Sequence, residues 1–284
     1  MVTVNPIFLS KQAGNASACL DASLRFLRQS WGAQWVGLGF VVDACSRFLD
    51  LKSEAQTDVS ARLLAAAQQV ADRIEAECSQ HQSQGQSAHF REPRYHNRLH
   101  FSDSLTTLAL QVSIESAHTG LHDPAWKAAM LLIAVAHDLH HPGRVNTVAA
   151  EIERHSFNAL QPHLAQCGVP TPWIDRIEAV ILRSDFSAVA DNHQRVAGQA
   201  FAWNTDWATV LLNEADIMTS ASAEFGPDLS RALADEWERI QFPAHRSVAT
   251  PQGRRAFLES IQFSSYSAGV LGAAEKVRAQ LASL

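Results

Sequence analysis

The sequence predicts an all-α protein of the compact multi-helix type. Apolar residues recur every three to four positions along most of the chain, and no run alternates apolar and polar residues long enough to make a strand. Helix start and stop signals fall where that period begins and ends. No repeat of 20–50 residues is present. With 284 residues, 46% hydrophobic and 18% charged, the chain has ample material for a buried core and no signature of disorder.

The elements follow in order. Leu20, Leu24 and Leu27 mark a first helix, and Leu63, Ala67, Val70, Ile74 and Cys78 line one face of a longer one. Gln80–Arg94 is rich in Gln and Ser and holds a Pro near its end, so it reads as a loop. Ala128–Ala136 is continuously apolar, a helix to be buried on all sides, which Pro142-Gly143 would end at about His141. Thr171-Pro172 is an N-cap with proline at the first helical position, before Ile174, Ile177 and Ile181 on one face. A last stripe is Phe225, Leu229, Leu233, Trp237 and Ile240. The expected organisation is one compact unit: an N-terminal helical subdomain over 1–80, a loop over 81–94, and a catalytic domain over 95–284.

Charge and apolar run length exclude several classes. There are 23 basic and 29 acidic residues, a net charge of -6, which argues against a nucleic-acid or anionic-membrane partner held by bulk electrostatics. The longest apolar stretches, 31–42 and 128–136, fall short of the roughly 20 residues that span a bilayer. Met1–Ser10 has no basic segment of the kind that opens a signal peptide. Cys19, Cys45, Cys78 and Cys167 are scattered and form no CxxC pair, so reduced thiols in a cytoplasmic protein are expected. Homodimerisation through the tryptophan-rich N-terminal helices is a further expectation.

The chemistry concentrates in one region. The window 96–141 holds seven of the 13 histidines. In Tyr95-His96-Asn97-Arg98-Leu99-His100, helical spacing would put His96 and His100 on one face. His137-Asp138-Leu139-His140-His141 follows the apolar run, at a helix C-terminus whose unpaired carbonyls favour a bound cation. Asp216 lies inside the otherwise apolar Val210–Met218, and a buried carboxylate needs a partner, for which a metal ion is one candidate. Two histidines and two aspartates suit a two-metal site with a shared Asp. Zn, Fe or Mn fits the tighter position, and Mg or Mn the harder, water-rich one. Such a pair polarises a phosphoryl group.

His137-Asp138 with a later Asp resembles the HD superfamily of metal-dependent phosphohydrolases. Longer strings stand in a defined order: Tyr95-His96-Asn97-x-x-His100, His137-Asp138-x-x-His141-Pro142-Gly143-x-x-Asn146, Ile181-Leu182-Arg183-Ser184-Asp185-Phe186 and Ala215-Asp216-Ile217. Together they resemble the catalytic domain of the class I cyclic-nucleotide phosphodiesterases over roughly 90–260. The resemblance implies His100, His137, Asp138 and Asp216 as ligands of the tighter metal, with Asp138 bridging to a second. It implies His96 as general acid on the leaving oxygen and His141 as a hydrogen-bond partner of the attacking hydroxide or its water. A carboxylate behind His96, which would fix its ring and offset the nearby cations, is assigned to Glu236. Tyr95, Asn146, Asp185, Thr219, Arg254 and Phe257 are the expected substrate-binding residues.

The departures fall on base recognition. The residue between the paired motifs, commonly Asp in that family, is His140. The family's purine-reading Asn is replaced by Thr219. If Phe257 is the clamp phenylalanine, the base-gripping Gln is replaced by Arg254, which could instead bind a phosphate. The expected activity is hydrolysis of a small phosphodiester, foremost a 3′,5′-cyclic nucleotide. The alternatives are a phosphomonoesterase or nucleotidase, and a non-catalytic metal-binding sensory module. His118, His122, His163, His193 and His245 read as solvated or core histidines, and Asp185 equally well as an N-cap.

Overall fold

A computed structural model describes residues 8–9, 15–52, 57–83 and 92–284. The described residues form fourteen α-helices and no strand: α1 Ala16–Ser30, α2 Leu38–Phe48, α3 Asp58–Ser83, α4 Arg98–Thr119, α5 Pro124–Ala136, α6 Glu151–Gln166, α7 Thr171–Leu182, α8 Val189–Val196, α9 Thr205–Met218, α10 Gly226–Arg239, α11 His245–Val248, α12 Pro251–Ser260, α13 Tyr266–Val270 and α14 Ala273–Ser283. A 3-10 turn, Phe186–Ala188, precedes α8. The all-α expectation is met.

The apolar run becomes the central helix. Every residue of α5 from Ala128 to Ala136 is inaccessible to solvent, and α3, α4, α7 and α9 all pack on it. Each Leu, Ile or Met buried there contributes about 1.5–3 kcal/mol. Asp123 caps its start by accepting from Ala125 and Trp126 N–H. α5 ends at Ala136, several residues earlier than Pro142-Gly143 suggested, and 137–140 form a turn with His140 in the left-handed region (φ 60°). That turn frees the histidines from helical geometry.

The N-terminal helices share the core. Leu20, Leu24 and Leu27 of α1 and Leu63, Ala67 and Val70 of α3 belong to one apolar cluster with Leu105, Leu131 and Leu211. α3 extends to Ser83, into the segment expected to be loop, while residues 84–91 lie outside the described part. The segment entering α4 is tied to α3 through Arg98, whose guanidinium meets Glu75 at 2.6 Å and Glu92 at 3.0 Å. Near Thr171 the cap is shifted by one residue: Pro170 takes the N-cap position and Thr171 is the first helical residue.

Candidate metal centre

Three helix ends meet beside the core. Asn97 caps α4, its carboxamide accepting from Leu99 and His100 N–H, so His100 sits in the first turn and His96 in the turn before the helix. The two are therefore not on one helical face, as their spacing suggested, yet their rings lie 5.6 Å apart. His137 is the C-cap of α5, and Asp216 lies in the last turn of α9.

His100, His137, Asp138 and Asp216 converge so that one ligand atom from each lies within 4.8 Å of the others. His100 Nε2 is 3.2 Å from Asp138 Oδ2 and 3.1 Å from Asp216 Oδ1. His137 Nε2 is 3.3 Å and 3.5 Å from the same two oxygens. Both histidines are buried.

This donor set fits a cation. His137 Nδ1 donates to the Ala134 carbonyl at 2.9 Å, which leaves Nε2 with its lone pair turned toward the carboxylates. That buried Nε2 has no hydrogen-bond partner among the described residues. Lone pairs of an imidazole and two carboxylates facing one another repel unless positive charge lies between them. The titration tendencies agree. Burial would lower the His100 pKa, but hydrogen bonds to Asp138 and Asp216 and their charges carry it up to about 10. Burial would raise Asp138 and Asp216, yet the histidines hold both well below the usual carboxylate range. The cluster thus demands positive charge, from protons or from a metal ion.

A second group stands beside it. His96 Nδ1 donates to Glu236 Oε1 at 2.5 Å, and Glu236 Oε2 accepts from the backbone N–H of Tyr95 at 2.7 Å and His96 at 3.2 Å. Burial would raise the Glu236 pKa; its bonds to His96 and to those backbone groups lower it instead. Glu236 is thus an ionised acceptor that commits Nδ1 of His96 and leaves Nε2 to face the site. The approach requires glycine at 143: its φ is 71°, and a Cβ there would stand 3.1 Å from Glu236 Cγ. His141 stacks on His96 at 3.6 Å between centroids and accepts from Gly143 N–H at 3.0 Å. Burial, and then the charge of His96, push the His141 pKa down to about 3, so this ring is neutral. Tyr95 packs 5.0 Å from His100 and shares a 2.8 Å hydrogen bond with Ser220 Oγ.

A cavity of about 540 Å³ reaches Asp138, His96 and His141, with Arg73 and Glu77 of α3 on its wall and His140 at its rim. His140 Nε2 meets Glu77 Oε2 at 3.0 Å.

Of the six expected substrate-binding residues, Tyr95 lies beside His100, and the other five fare differently. Asn146 bridges Glu153 and the N–H of Ile152 at the start of α6. Both oxygens of Asp185 are taken by Ala150 N–H (2.6 Å) and Ser187 N–H (2.8 Å), the N-cap alternative. Thr219, just after Asp216's helix, is 2% exposed, and its hydroxyl has no partner among the described residues. Arg254 donates to the carbonyls of Ser220 (2.5 Å) and Ser222 (3.0 Å) and to Gln280 Oε1 (2.7 Å). Phe257 packs with a small cluster of Ala221, Leu258 and Val277, under that guanidinium at 5.5 Å, and is absent from the cavity wall. A long flexible cation has many neutral acceptors within reach, and here the turn after α9 takes it. Ser220 and Gln280 carry no site signal in the sequence beyond Ser220 falling three residues after the Ala215-Asp216-Ile217 string. His193 is buried against Ser264 and His118 stacks on Tyr266, as core and surface histidines.

The described residues thus form an all-α bundle with a two-His, two-Asp cluster beside its core. Among solved structures, the chain is similar to the Leishmania phosphodiesterase LmjPDEB1 in complex with IBMX, at a TM-score of 0.66 and 14% identity, covering 92% of this chain and 89% of that one. No family model matches the sequence, and no curated protein does.

Proposed function

We propose that the protein is a metal-dependent phosphodiesterase that hydrolyses a small phosphodiester, foremost a 3′,5′-cyclic nucleotide. The observation that carries this reading is the adjacency of two groups: His100, His137, Asp138 and Asp216 around one point, and the Glu236–His96 pair beside them. The phosphodiesterase fold of the structural neighbour supports it.

Divalent ions held by the four ligands would supply Lewis acidity and a hydroxide nucleophile near neutral pH. The chain's own residues do the rest. The Ala134 carbonyl fixes the His137 ring through Nδ1, and the cap of α4 fixes the backbone from which His100 aims its Nε2 at the two carboxylates. His96 carries a proton on Nε2, stabilised by Glu236, and delivers it to the leaving oxygen. Neutral His141, acceptor at Nδ1 and donor at Nε2, orients a water or the attacking oxygen.

Phosphomonoester hydrolysis is the second reading, favoured by one specific observation: the two positions expected to read a base, Arg254 and Phe257, are turned to other duties. Purified protein supplied with Mn or Mg is assayed on cyclic nucleotides, bis(p-nitrophenyl) phosphate and mononucleotides, with Asp138→Ala as control. Turnover of the diesters, lost in Asp138→Ala, is expected. Phosphate release from mononucleotides alone selects the second reading. Bound metal without turnover of any ester would identify a sensory module.

A further inference from the structure

Arg254 is a buried cation whose side-chain hydrogen bonds go to neutral oxygens. Burying a guanidinium is costly unless its donors are met, and here three of its hydrogen bonds go to one short turn and to Gln280. Arg254, from α12, binds the carbonyls of Ser220 and Ser222, while Gln280, from α14, donates to the carbonyl between them, Ala221, and accepts from Arg254. Three consecutive carbonyls are thus fixed by one side-chain pair.

That turn leads to the site on two paths. Ser220 Oγ holds the Tyr95 hydroxyl at 2.8 Å, and Tyr95 precedes His96. α10, which carries Glu236, starts against the same guanidinium. A Cβ on Gly226 would lie 2.2 Å from Arg254 Nη2 and 2.5 Å from the Ser220 carbonyl oxygen, so the first residue of α10 must be glycine for that seat to exist. One pair therefore sets the turn behind Tyr95 and the first turn of the helix behind Glu236.

We infer that Arg254 and Gln280 are positioning residues for His96, acting through the Ser220–Ser222 turn, Tyr95 and α10. The inference rests on the reading of His96 as the acid that protonates the leaving oxygen. In that step an attacking hydroxide oxygen bonds to phosphorus as the P–O bond to the leaving group breaks; that bond's electron pair goes to the leaving oxygen, and the proton on His96 Nε2 follows. A misplaced His96 slows only the departure of groups that need the proton.

The test compares two diesters in the full chain supplied with Mn. A 3′,5′-cyclic nucleotide expels an alkoxide, which needs protonation, whereas bis(p-nitrophenyl) phosphate expels p-nitrophenolate, which does not. Arg254→Met and Gln280→Met are expected to lose about tenfold or more in kcat on the cyclic nucleotide, part of the 10²–10⁴ a general acid contributes. KM, and turnover of the nitrophenyl ester, are expected to stay within about twofold. Arg254→Lys, which keeps a donor, is expected to recover part of the loss. Equal losses on both esters, or a change in KM alone, would overturn the inference and leave Arg254 a packing residue. Should Arg254→Met not fold, Gln280→Met decides by the same criterion, since it keeps the guanidinium on the Ser220 and Ser222 carbonyls and removes only the Ala221 donor and one acceptor of Arg254. Wild-type protein inert on both esters overturns the phosphodiesterase reading, and this inference with it.

Discussion

Glu214 makes a stability prediction that does not depend on activity. It is fully buried on α9 and accepts from Gln111 Nε2 (3.0 Å), Ser264 N–H (2.6 Å), Ser265 N–H (2.9 Å) and the Ser265 hydroxyl. Burial outweighs these bonds and, with the neighbouring charge of Glu115, pushes its pKa from 4.5 up to about 7. An acid with a raised native pKa is harder to ionise folded than unfolded. Stability is therefore greatest below the unfolded value and falls as pH rises from about 4.5 through about 7. At 1.36 kcal/mol per pKa unit, the full loss is about 3 kcal/mol. Glu214→Gln cannot ionise, and Gln111, whose Oε1 has no partner among the described residues, can turn to accept from the new amide. Urea denaturation of both proteins at pH 5 and pH 8 reads the difference. The variant is expected to gain about 2–3 kcal/mol on wild type between the two pH values. Parallel stability profiles, with no gain at pH 8, would refute the reasoning.

Three further outcomes are expected. Glu236→Gln removes a charge-assisted bond worth about 1.5–3 kcal/mol, so kcat on a diester with an alkoxide leaving group falls about 10–100-fold, with p-nitrophenyl ester turnover nearly kept. Gly143→Ala forces a Cβ to within 3.1 Å of Glu236 Cγ at a left-handed φ of 71°; a stability loss of about 1 kcal/mol in denaturation should come with a lower kcat in the same ester assay. In protein stripped of divalent ions, His100 charged beside Asp138 and Asp216 stabilises the fold fully below 6.5, and this is lost as pH rises through about 10. The melting temperature of chelated protein should therefore fall steeply between pH 8 and 10 relative to metal-loaded protein.

Apolar patterning located three of the helices that build the core: Leu20, Leu24 and Leu27, the stripe from Leu63 to Ile74, and the continuous apolar run that became α5 all pack inward. The metal cluster was legible because a carboxylate among apolar neighbours, Asp216, has few physical excuses. Helix ends were harder. Pro142-Gly143 suggested a terminus near His141, but the chain leaves the helix at Ala136 so that His137 and Asp138 can turn inward. His96 and His100 came together for a reason their spacing did not state, since Asn97 interposes a cap. Arg254 and Phe257 were illegible because their surroundings are set by residues distant in sequence, Ser220–Ser222 and Gln280 for one, Ala221 and Val277 for the other.

Crystals grown with Mn and measured for anomalous scattering test the central claim most directly. A cation about 2.0–2.2 Å from His100 Nε2, His137 Nε2 and one oxygen each of Asp138 and Asp216 is predicted, with the peak lost in Asp216→Ala. Anomalous density elsewhere in the molecule, or a peak that persists in Asp216→Ala, would contradict it.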